Sequence, residues 1–499
     1  MTSANSIPPG ATPSSTATVI NKPPPHNTGL PLIIQGGMGA GISSWRLAQA
    51  VSRLGQLGVV SGTALDQILV RRLQDGDPGG NMRRAIDHFP FPIMAERVWQ
   101  KFFIPGGKGA TDSYKPAPSL VYEDSRESQE LIILANFVEI FLARENHGNP
   151  VGINYLEKIQ IPHLPSIYGA MLAGVSFILM GAGVPLKIPG VLDQFTTHQP
   201  ATYSLQVAGA LNSDDTMMSF SPREFMEIDL GSLHRPTFLA IISSNVLAAT
   251  LIKRANGRVD GFIVEGPTAG GHNAPPRGKL QLDEKGEPIY GARDTVDLTK
   301  LRELGLPFWL AGGYGSPEKL REALTHGAAG VQVGTAFEFC EESDLRTDYK
   351  RALIRKVNSG EATVFTDSQA SPTSFPFKVA QLEGSLSELE VYKARPRICD
   401  LGYLREPYKT SEGAIDFRCP AEPVSLYLSK GGKLEDTVGR KCLCNALLSN
   451  IDQSQVRAHK YVESGAVTSG DDLPSIKRFL SPGSATYTAA DVIAELLRS

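Results

Sequence analysis

The sequence has little cysteine, no long apolar run and no excess of basic charge. Five cysteines in 499 residues are few and odd in number, which fits a reducing compartment better than a disulfide scaffold. No apolar run approaches the ~20 residues that a membrane-spanning helix requires. The formal net charge of −3 weighs against a nucleic-acid-binding surface. We therefore expect a cytoplasmic protein without a membrane or nucleic-acid partner.

Several functional motifs are also absent. The chain has no G-x-S-x-G nucleophile motif and no P-loop pattern. Cys442 and Cys444 form one C-x-C without further nearby Cys or His, which is poor zinc spacing, so no metal is expected. Residues 1–28 contain almost no aliphatic side chains and no signal-peptide pattern. Such a segment predicts a disordered N-terminal arm, because it cannot bury enough surface to offset its ordering entropy.

What the chain does contain is a series of short apolar or β-branched runs, each ending in glycine or a small polar residue. These near-continuous apolar runs are typical of parallel strands covered by helices. The eight predicted strands are Leu32–Gln35, Gly58–Ser61, Val151–Tyr155, Phe177–Gly181, Thr237–Ser243, Gly261–Glu265, Pro307–Ala311 and Gly330–Gly334.

Helical patterns lie between these strands, for example after the cap residue Ser316. The alternation predicts an α/β fold, a (β/α)8 TIM barrel, over residues 29–365. A long insertion after the second strand, about 64–149, is a candidate lid. A mostly helical C-terminal extension follows over 366–499. The alternative is an open doubly wound sheet, for which 36–41 offers only a loose G-x-G-x-x-G match.

Two loops at the predicted carboxyl end of the barrel are rich in glycine. Gly312 and Gly313 follow the seventh strand, and Gly334 and Thr335 follow the eighth. Loops at these two places commonly bind phosphate in TIM barrels, and glycine lets backbone N–H groups approach an anion. We predict a phosphate site there, with plain turn glycines as the alternative interpretation.

The first and sixth strands end in comparable segments. Gln35, Gly36, Gly37 and Met38 follow the first strand, where a flat ligand can lie on bare backbone and Gln35 can bond a heteroaromatic edge. The sixth strand ends in Glu265, followed by Gly270, Gly271 and His272. A neutral imidazole is suited to moving a proton near neutral pH. On the motif alone, a histidine that satisfies a loop carbonyl explains His272 equally well.

These motifs together resemble those of the flavin-dependent nitronate monooxygenases, formerly 2-nitropropane dioxygenases, which are kin to FMN-dependent enoyl reductases of fatty-acid and polyketide synthesis. The family's Q-G-x-E-A-G-G-H stands here as residues 265–272. Its A-G-G and G-V-Q-x-G-T motifs stand as 311–313 and 330–335, and its first-strand motif as 36–40. The resemblance covers roughly residues 30–340.

The resemblance implies an oxidoreductase that binds FMN and a small-molecule substrate. FMN would lie on the first-strand loop, with its phosphate held by Gly312, Gly313, Gly334 and Thr335. His272 would be the acid/base that takes the α-proton of a nitroalkane, and O2 would complete the oxidation of the nitronate. The redox chemistry itself belongs to the flavin.

The sequence departs from the family at Glu265, Thr268 and Gly37, where the family usually has Gln, Glu and Pro. An anionic Glu265 would disfavour a nitronate, unless it is protonated or faces Arg277 or another base. The alternative function is an enoyl reductase that uses NAD(P)H and receives its enoyl thioester from an acyl carrier protein or synthase. The insertion and extension could frame its acyl tunnel. A third alternative is a non-catalytic barrel that binds a phosphorylated ligand.

Overall fold

The computed structural model describes residues 29–123, 125–211, 214 and 216–498. The predicted N-terminal arm, residues 1–28, lies outside the described residues.

Eight parallel strands close into a barrel, as the sequence predicted. Successive strands in the chain are neighbours throughout, and the first strand pairs with the eighth (Ile33 opposite Val331) to close the sheet. The strands are Ile33–Gln35, Leu57–Ser61, Val151–Leu156, Phe177–Gly181, Thr237–Ile242, Gly261–Glu265, Phe308–Ala311 and Gly330–Val333.

A small apolar cluster fills the barrel interior, separate from the larger core between strands and helices. It is built from strand residues that alternate with outward-facing neighbours, and it contains Ile34, Leu57, Val59, Leu179, Leu239, Ile263, Trp309 and Ala311. Trp309 is fully buried, and its indole N–H donates to the carbonyl of Pro31, 2.8 Å away. Because the interior is filled, a ligand can enter only at an end of the barrel.

Helices pack around the outside of the barrel. Pro317–Thr325 shows the expected start signal, because the Ser316 hydroxyl accepts a hydrogen bond from the Lys319 N–H and proline stands at the first helical position. The helices between and after the strands are Trp45–Arg53, His163–Leu172, Ile188–Phe195, Asn245–Arg254, Leu298–Glu303, Pro317–Thr325, Thr335–Glu338 and Thr347–Ser359. Two further strands, Ala201–Ser204 and Met217–Phe220, form an antiparallel pair outside the barrel.

The insertion after the second strand forms a helical layer against the barrel. Its helices are Leu65–Gln74, Asn81–Ile86, Pro92–Phe102 and Arg126–Arg144. The last of these is largely buried and packs on helices Trp45–Arg53 and His163–Leu172. Buried Glu139 on this helix accepts from the Trp45 N–H and pairs with Arg72 at 2.6 Å. The lid role of the insertion stays a prediction.

The C-terminal extension joins the barrel through a small antiparallel sheet. Strand Phe377–Ala380 pairs with Val364–Asp367 on one side and with Gly271–His272 on the other. A second pair is Glu406–Lys409 with Ile415–Arg418. The α-helices of the extension are Leu389–Ala394, Val424–Ser429, Leu443–Ser449 and Ala489–Leu496, and its 3-10 helices are Leu434–Thr437, Ala458–Lys460 and Leu473–Phe479. Since this sheet includes His272, the extension reaches the predicted active site.

Candidate active site

A cavity of about 400 Å³ lies at the carboxyl ends of the barrel strands, within the size range of small-molecule and cofactor sites. Part of its wall comes from the extension, including Phe375, Leu401 and Leu447, whereas the insertion contributes Ala64. The predicted site residues that line it are Gly36, Gly37, Met38, Glu265, Gly270, Gly271, His272, Gly312, Gly313, Gly334 and Thr335. The fold therefore brings eleven of the twelve predicted residues together.

Gln35 is the exception. Its side chain is fully buried, and its amide nitrogen donates to the Ser43 hydroxyl at 3.0 Å and to the Val59 carbonyl at 3.2 Å. Its amide oxygen accepts from the Val59 N–H at 3.1 Å. Because these bonds occupy the amide, Gln35 ties the first two strands together, and the predicted contact with a heteroaromatic edge has no support.

The glycines of the site are required by close approach and by backbone conformation. A Cβ on Gly37 would lie 2.6 Å from the Cβ of Asn154, and one on Gly270 would lie 2.6 Å from the Ser469 backbone. Gly312 and Gly313 have φ values of +87° and +75°, which side chains rarely tolerate. Glycine at these positions keeps the cavity floor bare.

The two predicted phosphate loops offer free backbone donors. Within the described chain, no hydrogen bond occupies the backbone N–H of Gly313, Gly334 or Thr335. Buried N–H groups without a protein partner are rare and need another acceptor. An anion or a carbonyl-rich ligand at this edge of the cavity would supply one.

Three buried side-chain atoms on the cavity wall also lack a partner among the described residues. They are Gln332 Oε1, Asn273 Oδ1 and Ser469 Oγ. A buried polar atom without a hydrogen bond costs about 1–3 kcal/mol. A bound ligand with hydrogen-bonding edges would remove that cost at three places, so the lining fits a polar heterocycle such as a flavin.

His272 lies between the cavity and the extension. Its ring packs edge-on against Phe377, with ring centroids 4.8 Å apart. Its Nε2 is 2.7 Å from the Ser371 hydroxyl. Burial, followed by the charge of Lys158, lowers the pKa of His272 well below its usual value. The imidazole is therefore neutral at physiological pH, as an acid/base requires before it accepts a proton.

A chain of hydroxyls connects His272 to a lysine that the sequence analysis did not single out. Ser371 Oγ lies 2.8 Å from Thr373 Oγ1, and Lys158 Nζ donates to Thr373 Oγ1 at 3.2 Å. Lys158 Nζ also lies 4.2 Å from the centre of the Phe375 ring. Lys158 comes two residues after the third strand, and that position at a strand end was the signal that could have identified it.

Glu265 and Lys158 are two half-buried groups on the cavity side of the barrel whose charges interact. Burial raises the pKa of Glu265 to about 7, partly opposed by Lys158. Burial lowers the pKa of Lys158 to about 7, partly opposed by Glu265. Arg277, one of the alternative partners considered for Glu265, donates from its guanidinium to the carbonyls of Ser243 and Arg293. Each group of the pair therefore exchanges its proton near neutral pH.

Two further carboxyl groups line the cavity beside the phosphate loops. Burial raises the pKa of Glu338 well above its usual value and also raises that of Asp472. Thr335 Oγ1 accepts from the Gly470 N–H at 3.0 Å. Because burial favours the protonated carboxyl, Glu338 does not add full negative charge beside the phosphate loops, and burial shifts the pKa of Asp472 in the same direction. The sequence analysis missed both.

Part of the chain matches a known family model. Residues 187–372 match the nitronate monooxygenase family. That segment includes the histidine motif and both phosphate loops. The resemblance found in the motifs is therefore confirmed for this segment, which is similar to the nitronate monooxygenases.

Individual relatives share shorter segments. The nitronate monooxygenase of Pseudomonas aeruginosa is 34% identical over 128 residues, which is 26% of this chain and 34% of the relative. A Mycobacterium tuberculosis protein named (3aS,4S,5R,7aS)-5-hydroxy-7a-methyl-1-oxo-octahydro-1H-indene-4-carboxyl-CoA dehydrogenase is 31% identical over 96 residues, 19% of this chain and 24% of the relative. The matches thus span about a third or less of these relatives.

One similar solved structure is FabK from Thermotoga maritima, with 15% identity and a TM-score of 0.45 over 93% of this chain and 91% of that one. Among the described helices, none combines the length and apolarity needed to cross a bilayer.

Proposed function

We propose that the protein is an FMN-dependent oxidoreductase of the nitronate monooxygenase type, which oxidises alkyl nitronates or nitroalkanes with O2. One observation carries the proposal. His272 and the glycine loops with free N–H groups line the same cavity at the end of the barrel. Neither the histidine nor the glycines alone would distinguish this function from a structural turn.

The residues present fit FMN. The backbone N–H groups of Gly313, Gly334 and Thr335 would hold the phosphate, and Gln332, Asn273 and Ser469 would satisfy polar atoms of the ring or ribityl chain. Gly36, Gly37 and Met38 would provide a flat contact surface. When bound, FMN would supply the acceptor for the substrate's electrons.

The chain's own residues would move the proton. A neutral His272 accepts the α-proton of a nitroalkane at Nδ1 while its Nε2–H donates to Ser371. Ser371 then donates to Thr373, and Thr373 to the neutral amine of Lys158. In the opposite arrangement of these hydrogen bonds, Lys158 donates to Thr373, Thr373 donates to Ser371, and Ser371 donates to Nε2 of His272. A switch between the two arrangements transfers one proton between His272 and Lys158. Because the pKa of Lys158 is about 7, its neutral and its cationic form are both accessible near neutral pH.

The pair of Lys158 and Glu265 would also adapt the site to an anionic substrate. With Glu265 protonated and Lys158 cationic, the pair carries a positive charge beside the cavity. A nitronate would stabilise that state, because opposite charges in a poorly solvated site attract strongly. Glu265 is thereby compatible with a nitronate, although an ionised carboxylate would not be.

The flavin spectrum tests the cofactor. The purified full-length protein is expected to show flavin absorbance, or to gain it on adding FMN. A colourless protein that takes up no FMN would refute the cofactor assignment.

The substrate is tested by anaerobic mixing. Propyl-2-nitronate should bleach the flavin, whereas NADPH should not. The variant His272→Asn should still bind FMN, and its turnover of neutral nitroethane should fall by about 10²–10⁴-fold. An unchanged rate would show that His272 is not the acid/base.

A second candidate is a trans-acting enoyl reductase that uses NAD(P)H and FMN, with an acyl carrier protein or synthase as partner. The observation that favours it is the apolar wall of the cavity, to which the extension contributes Phe375, Leu401, Leu404 and Leu447. Such a wall suits an acyl chain, and the M. tuberculosis relative is named as a carboxyl-CoA dehydrogenase. Bleaching by NADPH but not by nitronate would establish this candidate.

A further inference from the structure

A second cavity, of about 220 Å³, lies in the C-terminal extension. Five of its lining residues are basic, and no acidic side chain lines it: Lys393, Arg395, Arg397, Arg440 and Lys441. A concave surface with one sign of charge concentrates counter-ions. This concentration of cations in a chain of net charge −3 requires an explanation.

Three of the five cations are compensated. Arg395 pairs with buried Glu463 at 2.7 Å, and Lys441 pairs with Asp367 at 3.0 Å. Lys393 makes a surface pair with Glu390 at 3.0 Å, and such an exposed pair is weak. None of these acids lines the cavity.

Arg397 and Arg440 carry the uncompensated charge, because neither has a carboxylate within salt-bridge distance in the described part of the chain. Arg397 donates to the carbonyls of Pro420 and Thr437 at 2.9 and 2.5 Å. Arg440 donates to the carbonyls of Gln369 and Ser371 at 3.0 and 2.5 Å. Neutral carbonyls orient the two guanidiniums without cancelling their charge.

Both guanidiniums keep N–H groups for a ligand. A guanidinium has five N–H donors. The bonds of Arg397 involve Nη1 and Nη2, which leaves its Nε–H without an acceptor among the described residues. Arg440 uses one Nη2–H on the Ser374 hydroxyl, and the other has no acceptor in the described chain. These remaining charged N–H groups can each donate to a phosphate oxygen.

We propose that this basic cavity binds a phosphate ester. The cavity borders the active site without being part of it. Cys442 lines the basic cavity and Cys444 lines the barrel cavity. Arg440 also holds the carbonyl of Ser371, whose hydroxyl contacts His272. A phosphate here would anchor the remote end of a ligand whose reactive end lies in the barrel. The inference does not depend on flavin binding, because none of the five cations lines the barrel cavity.

Calorimetric titration of the full-length protein with inorganic pyrophosphate tests the site. We expect saturable binding that weakens as salt rises. Lys393→Glu and Arg440→Gln should each weaken it by about tenfold. The control Lys253→Glu changes an exposed lysine on a barrel helix and should leave it unchanged. Since Lys393 is exposed and weakly paired, its variant tests the site even where Arg440→Gln fails to fold. Absent binding, or binding that both variants leave unchanged, would overturn the proposal.

Two larger probes identify the source of the phosphate. Adenosine 2′,5′-bisphosphate represents a nucleotide donor, and 4′-phosphopantetheine represents a carrier-bound acyl group. Binding at least tenfold tighter than pyrophosphate, and lost in Lys393→Glu, assigns the site to that source. If both bind only as tightly as pyrophosphate and lose binding in Lys393→Glu, the site recognises the phosphate group of an ester and not the rest of it, which supports the proposal. If both bind equally well in Lys393→Glu, the basic cavity is not their site and the proposal fails.

Discussion

At the residue scale, His272 illustrates how a side chain acquires a role from its neighbours. An exposed histidine titrates near pH 6.5, but burial and the charge of Lys158 lower the pKa of His272. A base this weak can accept a substrate proton effectively only when a stronger base nearby takes the proton from it. Lys158 is that base, and hydrogen bonds through Ser371 and Thr373 connect it to His272.

Replacing Lys158 with Met should raise the pKa of His272, because the variant removes a positive charge that disfavours the imidazolium. NMR titration of protein with ¹³C-labelled histidine measures this pKa, and His272→Asn assigns the resonance. The matched control Lys253→Met should leave the pKa of His272 where it is. A pKa that stays low in Lys158→Met would mean that burial alone sets it.

Replacing Thr373 with Val should interrupt the hydroxyl chain while keeping the side-chain volume. If His272 passes its proton to Lys158, kcat with neutral nitroethane should fall by about 10–100-fold. Turnover of preformed ethyl nitronate, which needs no such proton transfer, should change much less. Thr373→Ser keeps the hydroxyl and serves as the control. Equal losses with both substrates would indicate a structural role for Thr373.

Replacing Glu265 with Gln should stabilise the protein in a pH-dependent way. The usual pKa of 4.5 rises to about 7 in the folded state. Between these values the folded state keeps a proton that the unfolded chain has released, so native stability falls as pH rises. Gln has no proton to lose. As the pH rises from 4.5 to 7, the free energy of unfolding of the variant should therefore increase by about 1–3 kcal/mol relative to that of the native protein, and the difference should persist at pH 8.

Urea unfolding at pH 4.5 and pH 8 measures this difference. Glu284→Gln, on an exposed loop, is the control and should show no pH-dependent gain. A Glu265→Gln variant with the same relative stability at both pH values would contradict the raised pKa of Glu265.

At the element scale, the strand Phe377–Ala380 connects the extension to the active site. It pairs with Gly271–His272, and buried Lys378 on it bonds Asp471 and the carbonyl of Pro267, both within 2.8 Å. This strand lies more than a hundred residues from His272 in sequence. The helices and strands of the barrel follow local periodicity, whereas this pairing depends on two distant segments meeting.

Replacing Phe377 with Ala should destabilise the protein by about 3–5 kcal/mol, because Phe377 is 2% exposed and its ring supports His272. Denaturant unfolding measures the loss. Leu389→Ala, at a position that is 60% exposed, is the control and should change stability by less than about 0.5 kcal/mol. A loss that small in Phe377→Ala would show that the extension does not pack firmly on the sixth-strand loop.

At the scale of the whole molecule, the barrel and the extension share one hydrophobic core. Leu448, Val467, Leu473 and Ile476 from the extension belong to the same buried cluster as the barrel helices. The boundaries 29–365 and 366–499 stay a prediction, and this shared core indicates that the two parts fold as one unit.

A chain truncated after residue 365 should therefore fail to give a stable barrel, because it exposes the apolar surface that the extension covers. We expect aggregation or loss of cooperative unfolding, measured by size-exclusion chromatography and thermal unfolding. The matched control ends after Leu480, which removes only the final helix Ala489–Leu496 and its connection, and should keep more structure. A truncated barrel that is soluble and unfolds cooperatively would show two independent units.

The sequence by itself determined the eight strands, their parallel order and the glycine loops. Parallel strands are buried on both faces, so continuous apolar runs mark them, and glycine marks the positions where the backbone must be bare. Only the tertiary structure decided that the Gln35 amide bonds Val59, that the charges of Glu265 and Lys158 interact, and that Ser371 contacts His272. These interactions join residues from 24 to 107 positions apart. No local pattern encodes such pairs, because they depend on how separate loops meet over the end of the barrel.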